Sequence, residues 1–222
     1  MGENGLHDGF MDISNAEWMW GFDQSTETQT TYASFFSHIS NLAPGYAGIN
    51  YAARGIDARL YSQIPASDYR KSLFNGPDGN ETSPTAAAKR PYASLKFGNT
   101  GDWTRDYFYL RTGEMLLIEA EAYAHLGRET DAANAMKKLM VNRDPEWNKS
   151  SMSVVDVYLQ RRIELWVECF GYFDLKRLNK GIDRNYEGSN HLTGYKKVVP
   201  AQDVLWTYQI PIREIQENTQ IS

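Results

Sequence analysis

The chain predicts a mainly α fold: a tetratricopeptide-like helical hairpin and a long C-terminal helix, with extensive irregular loops and little strand. Three observations carry that expectation. Leu110 to Leu126 turns helical in pattern and stops at Gly127, and Thr130 to Val141 follows after a short connection. From Val154 to Leu178, Val155, Leu159, Ile163, Trp166, Phe170 and Phe173 recur at helical spacing.

Taken in order, residues 1–50 are rich in Gly, Asn, Ser, Thr and aromatics without sustained periodicity. They read as long ordered loops with a short helix near Tyr32 to Ile39, ordered because disordered segments are poor in aromatics. Arg54 to Ser62 predicts a turn of helix ending before Ile64-Pro65, Asn75 to Asn80 a turn, and Pro84 to Arg90 a loop. In the first long helix Arg111, Met115, Ile118 and Ala122 share one face, and Gly127 suits the left-handed residue beyond its end. In the second, Ala132, Met136 and Leu139 point inward. Six alanines between Ala120 and Ala135 permit close approach, the pattern of a tetratricopeptide hairpin. A lone hairpin needs neighbours, here the third helix or segments outside this chain. Ser153 and Asp156 form a capping pair for that third helix. Beyond Gly181 loops return, with a short extended piece from Trp206 to Ile210.

The third helix carries more charge than a buried stripe needs. Arg161, Glu164 and Glu168 fall three and four residues apart, so Arg161 can answer two carboxylates that would otherwise repel. These three, with Arg111 and Glu114, are expected to be structural ion pairs.

With 222 residues, 41% of them hydrophobic, the chain is expected to form a single domain, 1–222. Within it, 1–105 is the loop-rich ligand-binding part, 106–180 the helical part and 181–222 the C-terminal loops. The net charge of −5 and scattered Lys and Arg argue against nucleic acid or an anionic membrane surface as partner. A neutral ligand fits better. No apolar run is long enough to span a bilayer, and Met1 to Gly5 has no signal-peptide character. Cys169, the single cysteine, reads as a small buried hydrophobe.

Sugars offer apolar C–H faces rimmed by hydroxyls, so a glycan site combines aromatic platforms with planar hydrogen-bonding side chains. The N-terminal loops hold that mixture. The candidate ligand-binding residues are Trp18, Trp20, Phe22, Tyr32, Phe35, Phe36, Tyr46, Asn15 and Asp23, with Trp18 and Trp20 foremost. Tyr51, Gln24, Asn41 and Asn50 lie among them. Glu114, Glu121, Glu164 and Glu168 offer a paired-carboxylate hydrolase as another reading, but neighbouring arginines point to structural pairing. His7, His38, His125 and His191 lack metal-ligand spacing, and Asp78 to Glu81 reads as a turn before a calcium loop. No catalytic residue, metal or cofactor is assigned.

Read as a string, Arg161 to Glu168 is R-R-x-E-L-x-x-E, followed by Asp174-Leu175-Lys176-Arg177. Upstream stand Ser67-Asp68-Tyr69-Arg70-Lys71, then Lys96-Phe97, then the stretch from Leu110-Arg111 through Glu114 to Ala120-Glu121-Ala122. Trp206 to Pro211 with Glu214, Ile215 and Asn218 closes the series. These pieces, in this order, resemble the SusD/RagB family of glycan-binding lipoproteins of the Bacteroidetes cell surface. Cys169 stands where that family usually has Gly, Gly171 where it usually has Arg, and Thr219 where it usually has Pro.

The resemblance implies non-catalytic binding of oligosaccharide or polysaccharide through aromatics in long loops, for delivery to a SusC-like TonB-dependent transporter. It implies a surface-exposed place at the cell outer membrane through a lipid anchor, with the signal peptide, the lipid-bearing cysteine and the N-terminal half of the protein outside this sequence. The alternatives are a tetratricopeptide-like protein interaction scaffold and a glycoside hydrolase.

Overall fold

The structure, a computed structural model, describes residues 10–29, 34–42, 45–49, 52–98, 104–195, 197–218 and 220. Tyr32, Asn50, Tyr51 and Thr219 lie outside these. The chain forms two units, one ending at Glu168 and the other beginning at Cys169.

In the first unit, strand β1 (Trp18–Phe22) pairs antiparallel with β2 (Tyr107–Arg111). Leu110 and Arg111, expected to open the first long helix, instead end this strand. The run Tyr107-Phe108-Tyr109 favours extended backbone, and β1 supplies the pairing partner that stabilises it. Between the strands come short helices α1 (Phe35–Ile39), α2 (Tyr46–Ile49), α3 (Ala58–Ser62) and α4 (Ala86–Lys89), and a 3-10 turn over Tyr69–Leu73. Ser34, Asp57, Asp68 and Thr85 begin four of these by accepting a backbone N–H of the first turn. Thr85 explains the correction at Pro84 to Arg90: a side-chain cap before Ala86-Ala87-Ala88 makes a helical turn of the expected loop.

The helical part is α5 (Thr112–His125), α6 (Glu129–Met140) and α7 (Val154–Glu164). Helix α5 packs against both α6 and α7, so the hairpin closes on the third helix. Ala132, Met136 and Leu139 of α6 are buried as expected. On α5, Gly113, Glu114, Leu117, Ala120, Glu121 and Ala124 are buried, while Ile118 and Ala122, on the face read from the sequence, are exposed. Small residues admit the neighbouring helices and the Glu114 carboxylate meets the buried Arg161 guanidinium, so hydrophobicity alone does not mark that face. Gly127 has φ of +72° with open space where a Cβ would sit, so conformation alone selects glycine there.

Helix α7 begins at the expected capping box: Ser153 accepts from Asp156 N, and Asp156 accepts from Ser153 N. It does not run to Leu178. The chain leaves the helix after Glu164, and Val167 and Cys169 take left-handed backbone at φ of +59° and +69°. The cause is electrostatic. Glu164 O accepts from Arg111 Nη2 at 2.9 Å and Lys96 Nζ at 2.8 Å, and Lys96 Nζ also reaches Trp166 O at 3.1 Å. Buried cations thus take carbonyls that a continuing helix would use. The apolar stripe read along this region is correspondingly broken: Ile163 is buried, whereas Val155 and Phe173 are exposed. Cys169 is exposed as well, contrary to its reading as a buried hydrophobe.

A core of Ile56, Leu60, Ile64, Leu73, Phe74 and Ile163 lies between α3, the 3-10 turn and α7, with Trp166 and Tyr92 packed beside it. Among the described residues no helix is long and apolar enough to cross a membrane.

The second unit holds α8 (Gly171–Arg177), a short antiparallel pair β3 (Ile182–Asp183) and β4 (Val198–Val199), and α9 (Ile212–Glu217). Trp206, expected in an extended piece, ends a 3-10 turn that Asp203 caps, and only the residues after it are irregular. Tyr172 donates its hydroxyl to Trp206 O at 2.5 Å and packs its ring near Trp206 and Tyr208.

Candidate functional site

Two features meet at the β1–β2 ribbon: an aromatic surface on it and a buried charge network at its end. The register slips between Trp18 and Trp20 and again between Trp20 and Gly21. In an unbroken strand both indoles would face one way; the irregularity re-aims them. Trp18 is half-buried, its ring 5.4 Å from Phe108, which stacks on Phe97, and Phe10 touches both phenylalanines. Gly21 makes this possible, because a Cβ there would lie 2.9 Å from the Trp18 ring and 2.7 Å from Tyr107 O. Trp20 instead pairs with Tyr109, ring centroids 5.1 Å apart and tilted by 52°. Trp20 is 62% exposed and Tyr109 51%. Met19 and Phe22 are exposed beside them on β1.

The other expected ligand contacts are scattered. Phe36 is buried, and Phe35 packs edge-on against Phe36 and Phe97, so these rings serve the interior. Tyr46 is exposed but pairs with His38 at 5.0 Å. Asn15 turns its Oδ1 onto Glu17 N, one turn ahead of β1, and Asp23 is exposed just after it. Tyr32 is outside the described residues. Sequence reasoning misses Tyr109, because its segment reads as the approach to a helix; the three consecutive aromatics at 107–109 are the available signal of a strand.

The charge network gathers residues far apart in sequence. Arg70 bonds Asp68 at 2.6 Å, Gln160 Oε1 at 2.6 Å and Glu164 Oε2 at 3.1 Å. Arg111 bonds Glu164 Oε1 at 2.7 Å and grips Glu168 through Nε and Nη2, both at 2.8 Å. Lys96 Nζ reaches Glu168 Oε1 at 2.5 Å and stands 4.7 Å from the Phe10 ring centroid. Arg143 bridges Glu164, at 3.1 Å, to Glu17, at 2.9 Å. Arg161 pairs with Glu114 at 3.6 Å. Asp68, Glu17, Glu114, Glu164 and Glu168 thus face Arg70, Lys96, Arg111, Arg143 and Arg161.

Pairing of opposite charges is what lets these groups be buried. Burial pushes the Lys96 ammonium down to about 8 against the pull of Glu168. Burial also pushes the Glu114 carboxyl up. Burial would do the same to Glu164, but Arg111, Arg143 and Arg70 hold it well below the ordinary carboxylate range. Glu164 and Glu168 are therefore occupied by guanidinium and ammonium groups, unlike the free acid and base of a glycosidase. Among the described residues no three His, Cys, Asp or Glu side chains gather as metal ligands.

A sequence model described as the SusD family matches residues 81–222. No curated protein matches the chain. Among solved structures, a SusD-like carbohydrate binding protein from Bacteroides vulgatus ATCC 8482 superposes with a TM-score of 0.76 at 23% identity, over 100% of this chain and 51% of its own. A SusD superfamily protein from Bacteroides thetaiotaomicron VPI-5482 superposes with a TM-score of 0.71 at 20% identity, over 98% of this chain and 52% of its own. The chain thus spans about half the length of the solved structures it matches, and at these identities they share its fold.

Proposed function

The chain belongs to the SusD family, and from that premise we propose that it binds oligosaccharide or polysaccharide without cleaving it. The observation that carries the reading is the exposed Trp20–Tyr109 pair on the β1–β2 ribbon. Two tilted rings offer flat apolar area to the C–H faces of successive sugar units, and the Asn15 and Asp23 positions flank the strand with groups suited to hydroxyls. Phe22 and Met19 extend the same exposed strand. The pairing of Glu164 and Glu168 with cations supports binding over hydrolysis. Family membership further supports delivery of the glycan to a SusC-like TonB-dependent transporter, at the outer membrane surface and through a lipid anchor.

Calorimetric titration of the chain with a panel of neutral oligosaccharides tests the binding. Trp20→Ala and Tyr109→Ala should each weaken affinity about tenfold, since a ring contact is worth roughly 1 kcal/mol beyond its buried area. Phe36→Leu, a change in the interior, should leave affinity intact. Equal affinity in the wild type and both ring variants would remove the platform, and new reducing ends during incubation would remove the non-catalytic reading.

A further inference from the structure

The segment that carries Trp20 is held at both ends by one carboxylate. Asp106 Oδ2 accepts from Ile13 N at 2.8 Å, and Asp106 Oδ1 accepts from Gln24 N at 2.8 Å. Asp106 N in turn donates to Met11 O at 3.2 Å. The side chain is buried and stands immediately before β2, three positions ahead of Tyr109. A third tie lies between the two ends, where Thr112 N donates to Glu17 O at 2.8 Å and Arg143 grips the Glu17 carboxylate.

We propose that Asp106 is the positioning residue of the aromatic platform: it closes the segment from Ile13 to Gln24 into a loop and so sets Trp20 against Tyr109. The inference rests on the reading of that pair as the sugar-binding surface. The geometry calls for a carboxylate. Two backbone N–H groups converge on one side chain, and a carboxylate presents an acceptor oxygen to each. An asparagine would turn its own N–H₂ toward one of them and lose that end of the loop. Because both donors belong to the backbone, neither the Ile13 nor the Gln24 side chain is needed for the closure.

The platform needs this restraint because a two-stranded ribbon is marginal on its own, and the irregular register around Trp20 removes regular ladder bonds at the point where the ring must be aimed. A ligand meeting a mobile Trp20 would have to order it on binding, whereas the clamp orders it during folding.

The test compares the wild type with Asp106→Asn in the full chain, using three measurements. Amide exchange should quicken about tenfold or more at Ile13 or Gln24, while amides within α5, α6 and α7 keep their protection. The nuclear Overhauser contact between the Trp20 and Tyr109 rings should weaken. Oligosaccharide affinity should fall about tenfold, and adding Asp106→Asn to Trp20→Ala should cost nothing further, because the clamp acts through that ring. Losses that add, or ring contacts and amide exchange that do not change, would overturn the proposal. A wild type that binds no oligosaccharide would instead defeat the carbohydrate reading, leaving the exchange and ring measurements to judge the clamp.

Discussion

Arg111 Nη1 lies 2.7 Å from Glu164 Oε1, and this bond joins the last residue of β2 to the last residue of α7. Through it the ribbon that presents the aromatic rings is fixed to the helical part, and through Glu168 the same guanidinium organises the chain that leaves α7. One buried arginine therefore serves both the scaffold and the placement of the surface.

Removing either partner strands the other. Arg111→Leu leaves Glu164 and Glu168 short of a cation, and Glu164→Leu leaves three guanidiniums without their shared acceptor. Each should cost about 3–5 kcal/mol in denaturant unfolding. The double variant should lose less than the sum, since it removes the charges as a pair. Arg111→Lys should recover only part of the loss, because one ammonium cannot span the four oxygens that the planar fork reaches.

The network also dictates the pH response. Glu164 is held well below its ordinary value of 4.5, so its contribution is present above that pH and is lost as acid takes the solution down through its folded pKa. Lys96 works the other way. Its pKa falls from 10.5 to about 8 on folding, so the unfolded chain holds more protons between those values and this lysine makes the fold gain stability as pH rises across that window. Denaturation midpoints measured at pH 3, 7 and 9 check both signs, and Lys96→Met should abolish the alkaline gain.

Cys169 carries a backbone cost. Its φ of +69° is a conformation that glycine takes freely and side-chain-bearing residues resist. Cys169→Gly should stabilise the protein by about 0.5–1 kcal/mol in thermal or denaturant unfolding, and a loss of stability would show that the thiol makes a compensating contact.

The start of α7 offers a smaller, well-bounded test. Ser153→Ala removes an acceptor for Asp156 N and a donor to the Asp156 carboxylate, at 3.3 and 2.6 Å. The expected cost is about 1 kcal/mol, read as a shift in the unfolding midpoint with little change in slope. Asp156→Asn should cost less than Ser153→Ala only if Lys149, 2.5 Å from the carboxylate, contributes little.

Local rules make much of the helical part legible in the sequence: apolar spacing locates α6, the Ser153–Asp156 pair marks the start of α7, and Gly127 marks the end of α5. Those features depend on neighbours within a turn or two, so the sequence alone determines them. The order of the quoted motifs, from Asp68 and Arg70 through Lys96 and Arg111 to Glu164 and Glu168, likewise pointed to the family without showing why those residues recur together. Only tertiary structure decided that they converge on one buried cluster, that Arg161 turns to Glu114, and that α7 stops where Lys96 and Arg111 take its carbonyls. It also decided which rings face solvent: Trp18 and Trp20 look equally eligible in a loop-rich sequence, yet one is half-buried against Phe108 and the other lies open beside Tyr109. The physical reason is range. Caps and periodicity act along a few residues of chain, whereas burial and charge pairing are settled by partners tens of positions away, brought within a few ångströms only by the fold.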